Sequence, residues 1–82
     1  MIIVRKLGQW LQIEDTKLNT EHTININHIG IVCINNSSNF SRVTIEIVGN
    51  INSVYVDISG NVYSNYKEIA IDLYNQITAA IR

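Results

Sequence analysis

The spacing of the apolar residues changes near Tyr66, and that change restricts the chain to strands followed by a helix. Over 42–48, Val43, Ile45 and Ile47 alternate with Arg42, Thr44 and Glu46. Over 53–59, Val54, Val56 and Ile58 alternate with Tyr55, Asp57 and Ser59. Successive side chains of a strand point to opposite faces, so each segment reads as a strand with one apolar face. The β-branched residues fit a pleated, half-buried surface. The linker Gly49-Asn50-Ile51-Asn52 is short and rich in turn formers, which predicts a hairpin.

From Tyr66 the apolar residues are Ile69, Ala70, Leu73, Tyr74, Ile77, Ala80 and Ile81, one helical stripe. Asn65 stands at the N-cap position, with Glu68 placed as in a capping box and suited to the helix dipole. The stripe predicts that Ile69, Leu73 and Ile77 cover the sheet, with Tyr66 and Tyr74 in the core. Ile71 falls off it.

Upstream, Ile2–Lys6 and Gln9–Glu14 read as strands around Gly8, followed by a polar loop over 15–21. Between His22 and Ile34 the apolar parity changes. Ile24 and Ile26 share a face that Ile29 and Ile31 do not, which predicts a bend or bulge near Asn27-His28, eased by Gly30. The run 35–41 is Asn, Ser and one Phe and reads as an exposed loop. The expected fold is α+β: a small antiparallel sheet of about five strands packed against one C-terminal helix, in a single domain over 1–82. The sheet face bearing Thr44, Glu46, Tyr55 and Asp57 should be the wetter one. Ile3, Val32, Ile34 and Val48 have the parity opposite to their inward neighbours, so the second face is expected to carry apolar residues as well.

At 82 residues the core is thin, and oligomerisation is a common way to bury more surface. Six basic and seven acidic residues give a net charge of −1, which disfavours a bulk electrostatic hold on nucleic acid. Ile and Asn are abundant, and both have AT-rich codons, a hint of a bacterial or phage source. Arg5 and Lys6 follow the apolar Met1–Val4 rather than precede it, unlike a secretory leader. No apolar run reaches the ~20 residues of a membrane span. A single cysteine permits no internal disulfide, so a cytoplasmic setting is expected.

Reactive residue types are present, but not in reactive patterns. His22, His28 and Cys33 are too few for a closed zinc site, and their spacing matches no finger or protease motif, so no metal or cofactor is expected. Cys33 lies in the run Ile31-Val32-Cys33-Ile34, which reads as a buried strand that keeps the thiol inert. Glu46 and Asp57 share a strand face and read as solvated carboxylates rather than an acid–base pair. The glycines at 8, 30, 49 and 60 are isolated, so no phosphate loop exists and no enzyme is expected.

The aromatics carry more information. Tyr55 falls on the polar strand face, and Trp10 shares the parity of Gln12 and Glu14. With Arg5 and Arg42 nearby, Trp10, Tyr55, Arg5 and Arg42 form a candidate ligand-binding set, in which a ring stacks on a planar group and a cation holds an anion. Ile71 and Val48 are candidate interface residues. The leading expectation is a non-enzymatic interaction or regulatory protein acting as a homo-oligomer, with a protein partner and no membrane contact. The alternative is a protein that binds or sequesters a small nucleotide-like anion in a pocket between subunits. A nucleic-acid binder is disfavoured by the net charge.

Overall fold

The computed structural model describes residues 1–49 and 52–82. The chain forms β1 Ile2–Leu7, β2 Trp10–Asp15, β3 Thr20–Asn25, a single 3₁₀ turn Ile26–His28, β4 Ile29–Asn36, β5 Phe40–Ile47, β6 Val54–Ser59 and α1 Tyr66–Ala80. The strands make two antiparallel three-stranded meanders, β1-β2-β3 and β4-β5-β6.

The segment expected to bend near Asn27-His28 is broken there instead. The Asn25 side chain accepts a hydrogen bond from Asn27 N at 3.0 Å, closing the turn that ends β3 and starts β4. Among the described residues this break makes six strands rather than about five and two sheets rather than one. A register shift between Ile29 and Ile31 then reassigns the faces of β4. Val32 stands opposite Ile45 and Ile34 opposite Val43, so both face inward, which corrects the expectation from parity. Ile31, opposite Glu46, faces outward. Ile3, paired with Glu14, lies on the outer face of the first sheet as expected, and Val48 is exposed.

β1 and β2 are joined through Gly8, whose φ of +62° is a conformation that glycine adopts without a Cβ penalty. β5 and β6 pair antiparallel as expected. Residues 50 and 51 of their connection lie outside the described residues. The loop expected over 35–41 is largely strand: β4 runs to Asn36 and β5 begins at Phe40. Ser41 is fully buried and donates through Oγ to Asn36 Oδ1 at 2.6 Å.

The core gathers Leu11, Ile13 and Ile24 from the first sheet, Val43, Ile45, Val56 and Ile58 from the second, and Ala70, Leu73 and Ile77 from the helix. Full burial of each large aliphatic side chain is worth about 1.5–3 kcal/mol. The helix lies against β4, β5 and β6 and also touches β1. Leu73 and Ile77 are buried as the stripe predicts, whereas Ile69 is half-buried. The buried tyrosine is Tyr63; Tyr66 and Tyr74, expected in the core, are half-buried.

Asn65 immediately precedes the helix, but its side chain makes no capping hydrogen bond. Its φ and ψ of −99° and 39° depart from the extended backbone usual at an N-cap. The first turn is held instead by Tyr66. Its hydroxyl donates to Ser38 O at 3.2 Å, and its ring lies 3.2 Å from where a Cβ on Gly60 would stand.

Candidate functional site

The outer face of β4-β5-β6 is organised around Arg42. On the central strand it faces Asn35 of β4 and Asp57 of β6. Its Nε donates to Asp57 Oδ1 at 2.7 Å and its Nη2 to Asp57 Oδ2 at 3.1 Å, a bidentate pair. The guanidinium carbon also lies 4.6 Å from the Tyr55 ring centroid and 5.9 Å from that of Phe40. The hydrogen bond to Asp57, followed by that carboxylate's charge, raises the Arg42 pKa above its ordinary value. Arg42 therefore stays charged, with that charge directed at a carboxylate of the same chain.

Apolar surface lies on the same face. Tyr55 is 51% exposed and Ile31 58% exposed, on the two outer strands of the sheet. Between them Thr44 is buried, with Cys33 opposite it. Cys33 is thus half-buried on the outer face, not buried in the core as its apolar neighbours suggested; the register shift ahead of it reverses its side. Glu46 shares this face with Asp57 as expected, but it faces Ile31 while Asp57 is bound to Arg42. The two carboxylates are not neighbours in the register.

The outer face of β1-β2-β3 has a different character. Arg5 Nη1 lies 3.4 Å from Glu14 Oε1 and 3.2 Å from Gln12 Oε1, and Gln12 Nε2 donates to Glu21 Oε1 at 3.0 Å. Trp10 stands opposite Leu7 at the hairpin end of this sheet, 45% exposed. The structure therefore brings Arg42 and Tyr55 together, places Arg5 and Trp10 on the other sheet, and does not unite the four residues in one pocket. Ile71 on the helix and Val48 beyond β5 are both exposed. His22 is half-buried within β3, and His28 is exposed in the 3₁₀ turn. Among the described residues no group of three or more His, Cys, Asp or Glu side chains is placed to hold a metal.

A groove separates the two sheets where β3 and β6 form their edges. It has a volume of about 470 Å³ and is walled by Leu18, Glu21 and His22 on one side and by Tyr55, Val56 and Asp57 on the other. A cleft around Trp10, Asn25 and Val54 has a volume of about 250 Å³.

At one end of the first sheet lies a buried polar cluster that sequence reasoning did not single out. Tyr63 Oη donates to Asp15 Oδ1 at 2.7 Å, and the same oxygen accepts from Lys17 N at 3.0 Å and Leu18 N at 3.3 Å. Met1 N donates to Tyr63 Oη at 2.8 Å, and Lys17 Nζ sits 4.6 Å from the ring centroid. Burial first, then the bond to Asp15, pushes the Tyr63 hydroxyl up to about 12. Asp15 was detectable, since it shares the parity of Leu11 and Ile13. Tyr63 was not, because it lies between a turn signal and the helix, outside any periodic run. No protein-family model, curated protein or solved structure matches the chain.

Proposed function

We propose that the chain is a non-enzymatic interaction protein that works as a homo-oligomer through the outer face of β4-β5-β6. The observation that carries this reading is exposed Tyr55 stacked on an Arg42 whose bidentate partner is already present in Asp57, with exposed Ile31 farther along the same face, opposite Glu46. A face with its charges internally matched presents apolar and aromatic area at low desolvation cost, and aromatic and Arg residues are enriched where proteins meet. Closed twofold assembly is the commonest way for one surface to cover itself.

Light scattering at micromolar concentration tests the reading. A dimeric or larger mass that falls to the monomer in Ile31→Lys is expected. A monomeric wild-type mass sinks it.

The stack of Arg42 between Tyr55 and Phe40 favours a second reading, the binding of a small nucleotide-like anion. Such a ligand has to displace the Asp57 carboxylate from the guanidinium. Inorganic phosphate and simple nucleotides should raise the melting temperature if this reading holds, and leave it unchanged if it does not.

A further inference from the structure

The two sheets end in four strands, and three of them carry charge: β1 has Arg5 and Lys6, β3 has Glu21 and β6 has Asp57. β4, the longest of these edge strands at eight residues, has no charged side chain. Charged residues are a usual defence of a strand edge against pairing with another chain, and β4 alone lacks them.

The hydrogen-bonding alternation determines which backbone groups of β4 are open. In an antiparallel pair, residues alternate between exchanging hydrogen bonds with the partner strand and directing those groups away from it. Ser37 N donates to Phe40 O at 2.8 Å, which makes that pair a bonded one. Counting along the β4–β5 register, Ile31, Cys33 and Asn35 bond toward β5, whereas Val32 and Ile34 turn their N–H and C=O groups away from it. The β5–β6 register agrees. Gly60 N donates to Asn39 O at 2.8 Å, so Val43 and Ile45 bond toward β6 and leave Arg42, Thr44 and Glu46 for β4. Among the described residues, no group of this chain pairs with the outward groups of Val32 and Ile34. The register shift between Ile29 and Ile31 lies ahead of this stretch and leaves it regular.

We infer that β4 pairs antiparallel with β4 of a second copy about a twofold axis at Cys33, joining two three-stranded sheets into one of six strands. The inference rests on the reading of the chain as a homo-oligomer and names the strand edge through which the copies meet.

The edge is suited to its own copy. Bonded pairs need outward residues on both strands, and the register about Cys33 sets Val32 against the partner's Ile34 and Ile34 against the partner's Val32. Both are half-buried aliphatic side chains at the margin of the core, so pairing covers area they still expose. A register about Ile34 would set Val32 against the partner's Asn36, and one about Val32 would draw Gly30, at the register shift, into a bonded pair. No charge meets its own copy along β4, whereas self-pairing of β1 brings Arg5 and Lys6 toward their duplicates. The pairing also closes, because the new sheet ends on both sides in β6 with its Asp57, and assembly stops at a twofold dimer.

Amide exchange of the full chain by NMR, over a series of protein concentrations, tests the inference. Exchange at Val32 and Ile34 should slow at least about tenfold from dilute to concentrated protein, while β3 and β6 keep their rates. Cys33→Lys and Cys33→Glu each set like charges opposite one another across the axis. Each should raise the dimer dissociation constant at least about tenfold, and an equimolar mixture of the two should restore it. Mixing separates repulsion from misfolding, because two unfolded variants do not rescue each other. Concentration-independent exchange at Val32 and Ile34, protection that rises at β3 or β6 instead, or folded variants that dimerise as wild type overturns the inference. An oligomer that leaves Val32 and Ile34 unprotected sinks it and spares the proposed function. Protection of both amides in a dimer that survives Tyr55→Lys, on the far strand of the face, upholds it and sinks the outer-face reading.

Discussion

The two sheets share one topology, a three-stranded meander, yet their outer faces are built differently. On β1-β2-β3 the polar groups form a loose ladder across the strands, Arg5 with Glu14 and Gln12, and Gln12 with Glu21, at 3.0–3.4 Å. On β4-β5-β6 a single bidentate pair is stacked on Tyr55, and exposed Ile31 lies farther along the face, opposite Glu46. Loose exposed pairs lose much of their attraction to solvent and side-chain entropy, whereas a bidentate, ring-stacked pair is preorganised. The first face carries loosely paired charges beside exposed Trp10 and Leu7; the second carries a preorganised pair beside exposed Tyr55. The helix reinforces the asymmetry, since it lies across the second sheet and reaches the first chiefly at β1.

The largest effects should come from the core that joins the sheets. Ile13→Ala in β2, Ile45→Ala in β5 and Leu73→Ala in the helix should each cost about 2–5 kcal/mol in a denaturant titration, as cavity-forming truncations of fully buried side chains. Hydrogen exchange then asks whether the sheets are one cooperative unit. With a shared core, Ile45→Ala should speed exchange in β2 as well as in β5. Acceleration confined to β4-β5-β6 would show two weakly coupled halves.

Tyr63 ties the first sheet to the segment leading into the helix, so its effect should come next. Tyr63→Phe removes a donor from the buried Asp15 carboxylate and should cost about 1–3 kcal/mol. The pH dependence has a definite sign. The folded chain holds the phenol proton more tightly than the unfolded chain, with a value near 12 against about 10. That stability is fully present below about pH 10 and is lost as the pH rises through about 12. Tyr63→Phe should flatten that decline, and a variant as steep as wild type would exclude Tyr63 as its source.

Smaller still are the effects on the outer faces. Arg42 and Arg5 are both exposed, so neither replacement should approach the core losses. A double-mutant cycle should nonetheless find stronger coupling between Arg42 and Asp57 than between Arg5 and Glu14. Equal coupling would remove the distinction drawn between the faces.

Strand alternation and the helical stripe were legible because they follow from periods of about two and 3.6. Trp10, Tyr55 and Ile71 were assigned to exposed positions by that reasoning, and they are exposed. What parity alone could not carry was a change of phase. The turn at Ile26–His28 and the shift between Ile29 and Ile31 invert the faces of Val32, Cys33 and Ile34. The division into two sheets, and with it the groove between β3 and β6, depends on how distant edges approach, which no local pattern encodes. Asp15 looked like loop because a carboxylate is rarely buried without partners, and its partner Tyr63 lies 48 residues away.

The smallest expected effect concerns the start of the helix, where the second sheet replaces a local signal. Asn followed three residues later by Glu is the pattern of a capping box, and an Asn→Ala change at a working N-cap costs about 0.5–2 kcal/mol. Here the Asn65 backbone is not extended, and its side chain makes no capping bond. Asn65 contributes its carbonyl, which accepts from Ile69 N at 3.1 Å, and any residue supplies a carbonyl. Asn65→Ala should therefore change stability by less than about 0.5 kcal/mol. Gly60→Ala should do more damage, because its new Cβ meets the Tyr66 ring at 3.2 Å and Asn39 O at 3.1 Å, pressing the helix start away from the β4–β5 turn. Thermal melts of the two variants side by side decide the point. If Asn65→Ala is the more costly change, the first turn is fixed by its own cap, and the second sheet's hold on the helix begins further along, at Leu73 and Ile77.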